Sequence, residues 1–162
     1  MRIHDASPQR AYRIELRRSP IEPPAETIDN PAAIARFCAD LATYDRERLV
    51  RLDINNRCQL VGVETVAIGA VDTVVVNIAD VFRGAILAGA TRIAVVHNHP
   101  SGQPEPSEAD RRIAARLEEA ATLLDIPLVD FVIIGDGRYW AKTTGFRRIK
   151  SPEPGQRRLV GW

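Results

Sequence analysis

Four apolar residues, Ile93-Ala94-Val95-Val96, run without interruption into His97-Asn98-His99. A short run that is apolar at every position is buried on both faces, so it belongs in the middle of a sheet with helices on either side. Such a chain must fold as layered α/β, and a strand of this kind opens at its end into a loop that can carry chemistry. The polar stretch Asn98 to Pro106 fits that loop. Ser107 then caps a helix in which Ile113, Leu117, Ala120 and Leu124 face the core.

The flanking elements complete one α/β domain. Residues 1–28 carry four prolines and read as an arm, with Tyr12 to Leu16 alternating like an edge strand. Asn30 caps a first helix with Pro31 at its first position and with Ile34, Phe37, Cys38 and Leu41 on one face. Leu49 to Ile54, a turn at Asn55-Asn56-Arg57 and a run from Cys58 to Ile68 read as an antiparallel hairpin. The run Val71 to Val76 follows. Ile78, Val81, Phe82, Ala85, Ile86 and Gly89 then mark an amphipathic helix. Leu128 to Ile134 is a strand, Gly135 to Gly137 a turn and Tyr139 to Ala141 the final strand. The domain spans residues 29–150, and residues 151–162 are expected to be a mobile tail.

Composition narrows the function classes. A chain of 162 residues buries enough surface to stand without disulfides, so Cys38 and Cys58 read as reduced residues of a cytoplasmic protein. Lys and Arg total 22 against 21 Asp and Glu, a net charge of +1, which argues against binding polyanions by bulk charge. No apolar run approaches the roughly 18 residues of a membrane span, and the first ten residues lack the apolar stretch of a signal peptide.

The chemistry concentrates between His97 and Asp110. Side chains two apart on an extended chain point to the same side, so His97 and His99 converge while Asn98 points away. Asp110 arrives in the first turn of the next helix. Two histidines and a carboxylate leave one tetrahedral position open, the pattern of a catalytic zinc site. Ser107-x-x-Asp110 also reads as a helix capping box, and the two readings compete for the Asp110 carboxylate. Two of the three histidines in the chain sit in this loop, which capping does not explain.

The spacing His97, His99, Ser107, Asp110 resembles the JAMM motif of the JAB/MPN+ metalloproteases. His97-Asn-His-Pro-Ser-Gly102 and Pro104-Glu-Pro-Ser-Glu-Ala-Asp110 are similar to the RadC-like branch, over about residues 45 to 145. The resemblance implies a cytidine-deaminase-like three-layer α/β/α fold with a mixed central sheet. It also implies one Zn2+ per chain and hydrolysis of an amide bond in a protein or peptide. Glu47, just before the first strand of the domain, matches the upstream glutamate of the family and would act as general base, with Glu64 as the alternative. Ser107 would bond the oxyanion. Two features depart from the branch. Asp130 is followed by Phe131 where the family has His, and Asn77-Ile78-Ala79-Asp80 replaces Pro-Arg-Glu. Longer relatives carry a helix-hairpin-helix module. Residues 1–44 lack its glycine hairpins, so DNA binding inherited from it is not expected.

The alternative is a DNA-associated protein without peptidase activity. Arg10, Arg13, Arg17, Arg18, Arg147, Arg148, Lys150, Arg157 and Arg158 would then hold phosphates. A nuclease suggested by the contiguous His-Asn-His carries little weight, because nuclease motifs of that name are dispersed along the chain. The H-x-E and P-C-x-x-C signature of zinc deaminases is absent. The sequence leaves the oligomeric state open.

Overall fold

The computed structural model describes residues 19–24, 26–69 and 76–150. Helix α1 spans Pro31–Phe37 and is followed by a 3₁₀ turn at Ala39–Thr43. Strands β1 (Arg48–Ile54) and β2 (Leu60–Ile68) form a hairpin. Helix α2 (Ile78–Ala88), strand β3 (Arg92–Asn98), helix α3 (Glu108–Leu123), and strands β4 (Leu128–Ile134), β5 (Arg138–Ala141) and β6 (Gly145–Arg148) complete the order.

One six-stranded sheet runs β2-β1-β3-β4-β5-β6. It is mixed: β3 and β4 are parallel, and the other neighbours are antiparallel. The parallel pair requires a crossover, which α3 supplies. Alternation along the strands divides the core into two layers. Val50, Leu52, Ala94, Val96, Val132 and Ile134 pack with Ile34, Phe37 and Leu41 of the α1 region. Leu49, Val95, Phe131 and Ile133 pack on the opposite face with Val81 and Phe82 of α2 and Ile113 and Leu117 of α3. The result is a three-layer α/β/α arrangement with β3 inside the sheet, as its unbroken apolar run requires.

Local chemistry sets the helix ends. The Asn30 side chain accepts from Ala33 N–H, and that of Asn77 accepts from Ala79 N–H. Gly89 ends α2 in the left-handed region at φ 70°. Five expectations are corrected. α1 stops at Phe37, so Cys38 is its cap and Leu41 lies in the 3₁₀ turn, although both remain buried. Ile86 is 55% exposed and Leu124 40% exposed, so neither faces the core. On α3, Ala114 and Ala121 are buried where Ala120 is only half-buried. The buried face is centred on Asp110, Leu117 and Ala121, so Ala120 falls at its edge and Leu124 caps the helix end. Finally, Tyr139 to Ala141 is not the last strand: β6 adds to it in antiparallel register. Cys58 adopts φ 58°, in the turn that precedes β2 rather than in the strand. The Tyr12 to Leu16 strand, the run 71–75 and the tail lie outside the described residues.

A buried cation fixes α2 against the hairpin. Arg51 is 2% exposed; its Nε lies 2.7 Å from Asp53 Oδ1 and its Nη2 2.7 Å from Glu64 Oε2. Nη1 donates to the Val81 carbonyl at 2.9 Å. Charges taken out of water need such complete pairing. Gly84 permits the approach: a Cβ there would sit 2.3 Å from Arg51 Nη1 and 2.2 Å from Glu64 Oε2. Arg51 cannot swing away without breaking its bonds. Gly84→Ala therefore destabilises by about 2 kcal/mol, or roughly 6 °C in Tm for a chain of this length, and thermal unfolding measures it. An unchanged Tm would show that the cluster yields.

Candidate metal centre

The carboxyl end of β3 carries the site. His97 is the penultimate residue of the strand, opposite Leu49 of β1 and Ile133 of β4. Its ring is fully buried, and neither Nδ1 nor Nε2 has a hydrogen-bond partner among the described residues. Burial lowers its pKa to about 4, beyond the opposing pull of Asp110, so the ring is neutral at physiological pH. A neutral imidazole offers a lone pair as well as an N–H.

His99 follows just beyond the strand, its ring edge-on to that of His97 with centroids 4.8 Å apart. Nδ1 lies 2.8 Å from the Gln103 carbonyl, which can only accept, so Nδ1 is the protonated nitrogen. Nε2 is thereby turned toward Asp110, 3.4 Å from Oδ2. Burial alone would lower the His99 pKa. The bond to Asp110 and the Gln103 carbonyl outweigh it and raise the pKa.

Asp110 stands at the start of α3 and is 1% exposed. Its Oδ2 accepts from Ser107 N–H at 2.8 Å and from Ser107 Oγ at 2.7 Å, while Ser107 Oγ accepts from Asp110 N–H at 3.1 Å. Its Oδ1 lies 3.9 Å from His97 Nε2. Burial would raise this pKa, yet the bonds from His99 and Ser107 hold it at about 2. The capping box expected at Ser107 and Asp110 is formed. One carboxylate closes the capping box and faces both imidazoles, because Oδ2 turns to Ser107 while Oδ1 remains toward His97.

Glu47, half-buried in the connector before β1, joins this group. One ligand-capable atom each of Glu47, His97 and His99 lies within 4.8 Å of the others. The residue is anchored on both sides. Asn98 Oδ1 accepts from Arg48 N–H at 2.8 Å, and Asn98 Nδ2 donates to the Arg46 carbonyl at 3.2 Å. Gly69 N–H donates to the Glu47 carbonyl at 2.9 Å. Glu64 goes elsewhere, on β2 in the Arg51 cluster. Ser107, His97, His99, Asp110 and Glu47 come together, and Glu64 does not join them.

Three contributors escaped the sequence reading. Asn98 was expected only to point away from the histidines. It does so, and in that direction it grips the backbone around Glu47, a partner 50 residues earlier that no local pattern announces. Gln103 sets the tautomer of His99 through its carbonyl. Gly135 seats the loop, since a Cβ there would meet the Gly102 carbonyl oxygen at 2.4 Å and Pro104 N at 2.9 Å. The Phe131 departure has a plain outcome: the ring is wholly buried between the sheet and α2/α3, opposite Val95. Asn77 and Asp80 serve α2 as its cap and as an ion-pair partner of Arg83 at 2.9 Å.

These donors fit a divalent cation. One ligand-capable atom each of His97, His99 and Glu47 lies within 4.8 Å of the others, Asp110 flanks both imidazoles, and the His97 nitrogens are buried with no hydrogen-bond partner among the described residues. Lone pairs and anions that face one another are stabilised by a positive ion between them. Nitrogen and carboxylate donors together suit zinc and its neighbours.

Layers, sheet order and a histidine-carboxylate cluster at the end of a central strand define a JAB-type α/β domain. Comparison with known proteins gives the family: the RadC-like JAB domain matches residues 28–145, and the chain belongs to that family. A UPF0758 protein of Thermotoga maritima is 35% identical over 127 residues, 78% of this chain and 55% of the relative. A UPF0758 protein of Methanosarcina acetivorans is 35% identical over 130 residues, 79% and 57% of the two chains. A third, from Caldanaerobacter subterraneus, is 44% identical over 91 residues, 56% and 38% of the two chains. The chain spans about half the length of the curated relatives it matches. Among the described residues no helix is long and apolar enough to cross a membrane.

Asn98→Ala leaves Arg48 N–H and the Arg46 carbonyl without their partner. Stability falls by about 2 kcal/mol, and the Arg48 amide exchanges with solvent about tenfold faster or more, read by hydrogen exchange at that residue. Unchanged exchange would detach Glu47 from this anchor.

Proposed function

We propose that this domain is a zinc-dependent metallopeptidase or isopeptidase acting on a protein or peptide. The observation that carries the reading is the buried, neutral His97 with no hydrogen-bond partner, aimed into a cluster of His99, Asp110 and Glu47. His97, His99 and Asp110 would hold the ion. Zinc, when bound, polarises the scissile carbonyl and lowers the pKa of its water to about 7.

The protein's own groups do the rest. Glu47 takes the proton of the attacking water and returns it to the leaving amine, a role that requires it to remain outside the ligand set. Asn98 and Gly69 support that role by fixing the backbone that carries it. Ser107 Oγ holds Asp110 in the resting arrangement and transfers its hydrogen bond to the oxyanion as charge develops. The Gln103 carbonyl keeps His99 in the tautomer whose Nε2 lone pair faces inward.

The purified chain should carry about one zinc, and His97→Ala should lose it, as metal analysis of both proteins will show. Full occupancy in the variant would sink the ligand assignment. Glu47→Gln preserves shape but cannot take a proton. It should retain zinc while turnover of a cleaved peptide falls by about a hundredfold to ten thousandfold. Glu64→Gln, in the Arg51 cluster, should stay within a small factor of the wild type once corrected for the folded fraction. Equal loss in the two variants would remove Glu47 from the mechanism.

A further inference from the structure

The sheet brings to the edge of the site two guanidinium groups that have no ion-pair partner among the described residues. Arg138 of β5 and Arg148 of β6 are partners in register. Partners on adjacent strands share a face, with Cβ atoms about 5 Å apart, and like charges so placed repel. Both side chains are exposed. The ion pairs of Arg and Lys among the described residues involve Arg36, Arg51, Arg83 and Lys142, not these two.

Register places the pair on the histidine face. His97 lies opposite Ile133, Ile133 opposite Trp140, and Trp140 opposite Phe146. Two residues further in that row's direction come His99, Gly135, Arg138 and Arg148. The backbone confirms the alignment: His99 N–H donates to the Ile134 carbonyl at 3.1 Å, and Gly135 N–H to that of Arg138 at 2.9 Å. Arg138 Nη2 also lies 3.2 Å from Gln103 Oε1, and the carbonyl of the same Gln103 bonds His99. The pair is thus tied to the metal loop. Phe146, 50% exposed, offers an apolar flank on the same face.

We propose that Arg138 and Arg148 form a carboxylate-binding subsite that selects substrates with an acidic group three or four residues from the cleaved bond. The inference rests on the amide-hydrolase reading and names its substrate class. Two guanidinium forks side by side match a carboxylate and relieve the repulsion between them. From His99 the pair is two and three strand spacings away, about 10 and 14 Å. An extended peptide rising about 3.3 Å per residue covers that distance in three or four residues. The group recognised is an Asp or Glu side chain at that separation, or the α-carboxylate of a chain end.

Binding tests this without turnover. The probe is a fluorescein-labelled pool of amidated heptapeptides, random but free of other acidic residues, with one fixed glutamate. A twin pool carries glutamine there, and a third carries glutamine and a free C-terminus. Zinc-loaded Glu47→Gln protein binds without consuming them. The glutamate or free-acid pool should bind about tenfold tighter than the glutamine amide. The gain should shrink with salt and fall within twofold in Arg138→Gln or Arg148→Gln, with zinc content unchanged. Gain in the glutamate arm assigns a side chain, and gain in the free-acid arm a chain end. Equal binding of all pools overturns the proposal, as does a preference that survives both substitutions. Duplex DNA that displaces the glutamate pool through the same arginines also overturns it and makes the pair a phosphate contact. A chain that cleaves nothing yet loses acidic preference with these arginines would retire the hydrolase reading and leave the subsite standing.

Discussion

The fully buried His97 imidazole governs the arrangement of this domain. An unpartnered polar group inside a protein costs about 1–3 kcal/mol, more than most single contacts supply. Apolar packing around β3 outweighs that cost, and it is why His97 stands on a strand buried along nearly its whole length rather than on a loop. Neighbours on both sides, Leu49 and Ile133, hold the ring in place. Burial also keeps the ring neutral, so packing and electronic state have one cause. A site built on an exposed loop would have neither.

The parallel pairing of β3 with β4 does the second part. Parallel neighbours force the chain to leave the end of β3, cross a face and return, so a loop and a helix start must stand beside His97. Here the loop is 99–107 and the helix is α3. Asp110 at its third position therefore meets the histidines without any long-range search by the side chain. Its capping box makes the placement rigid, since Ser107 holds one oxygen through two bonds. Helix initiation and the orientation of Asp110 toward the histidines rest on the same hydrogen bonds.

That coupling explains which parts of the site the sequence displays. His97, His99, Ser107 and Asp110 fall within one segment, and strand alternation plus a helix cap convert their spacing into geometry. Glu47 is visible only through resemblance to a family, because its neighbourhood is made by the β1–β3 pairing, a contact between distant residues. Asn98 is less visible still, since its role depends on which peptide units lie across the strand end. The missed strand β6 has a similar reason: Gly145-Phe-Arg-Arg148 has no apolar alternation, and its ladder with β5 is what makes it a strand. Ile86 and Leu124 show the opposite failure, in which an apolar residue near the right phase ends on the outer side of its helix. Periodicity identifies helices well, but packing on a twisted sheet decides the last turn.

Phe131 shows how a departure from a family pattern is judged in a fold. The position lies on the histidine face of the sheet, two residues before Ile133, so a polar residue there could reach toward the site from below. An apolar ring instead closes that route and packs with Leu49 and Val95 in the core shared with α2 and α3. The neighbouring Asp130 is still engaged: it accepts from Phe131 N–H at 2.8 Å and bonds the Thr143 hydroxyl, holding the turn that leads to β6. The substitution therefore changes what lies beneath His97 while leaving the hairpin anchor intact. Polar contact with His97 must then come from above the sheet, from α3 and the β1 connector, where Asp110 and Glu47 stand.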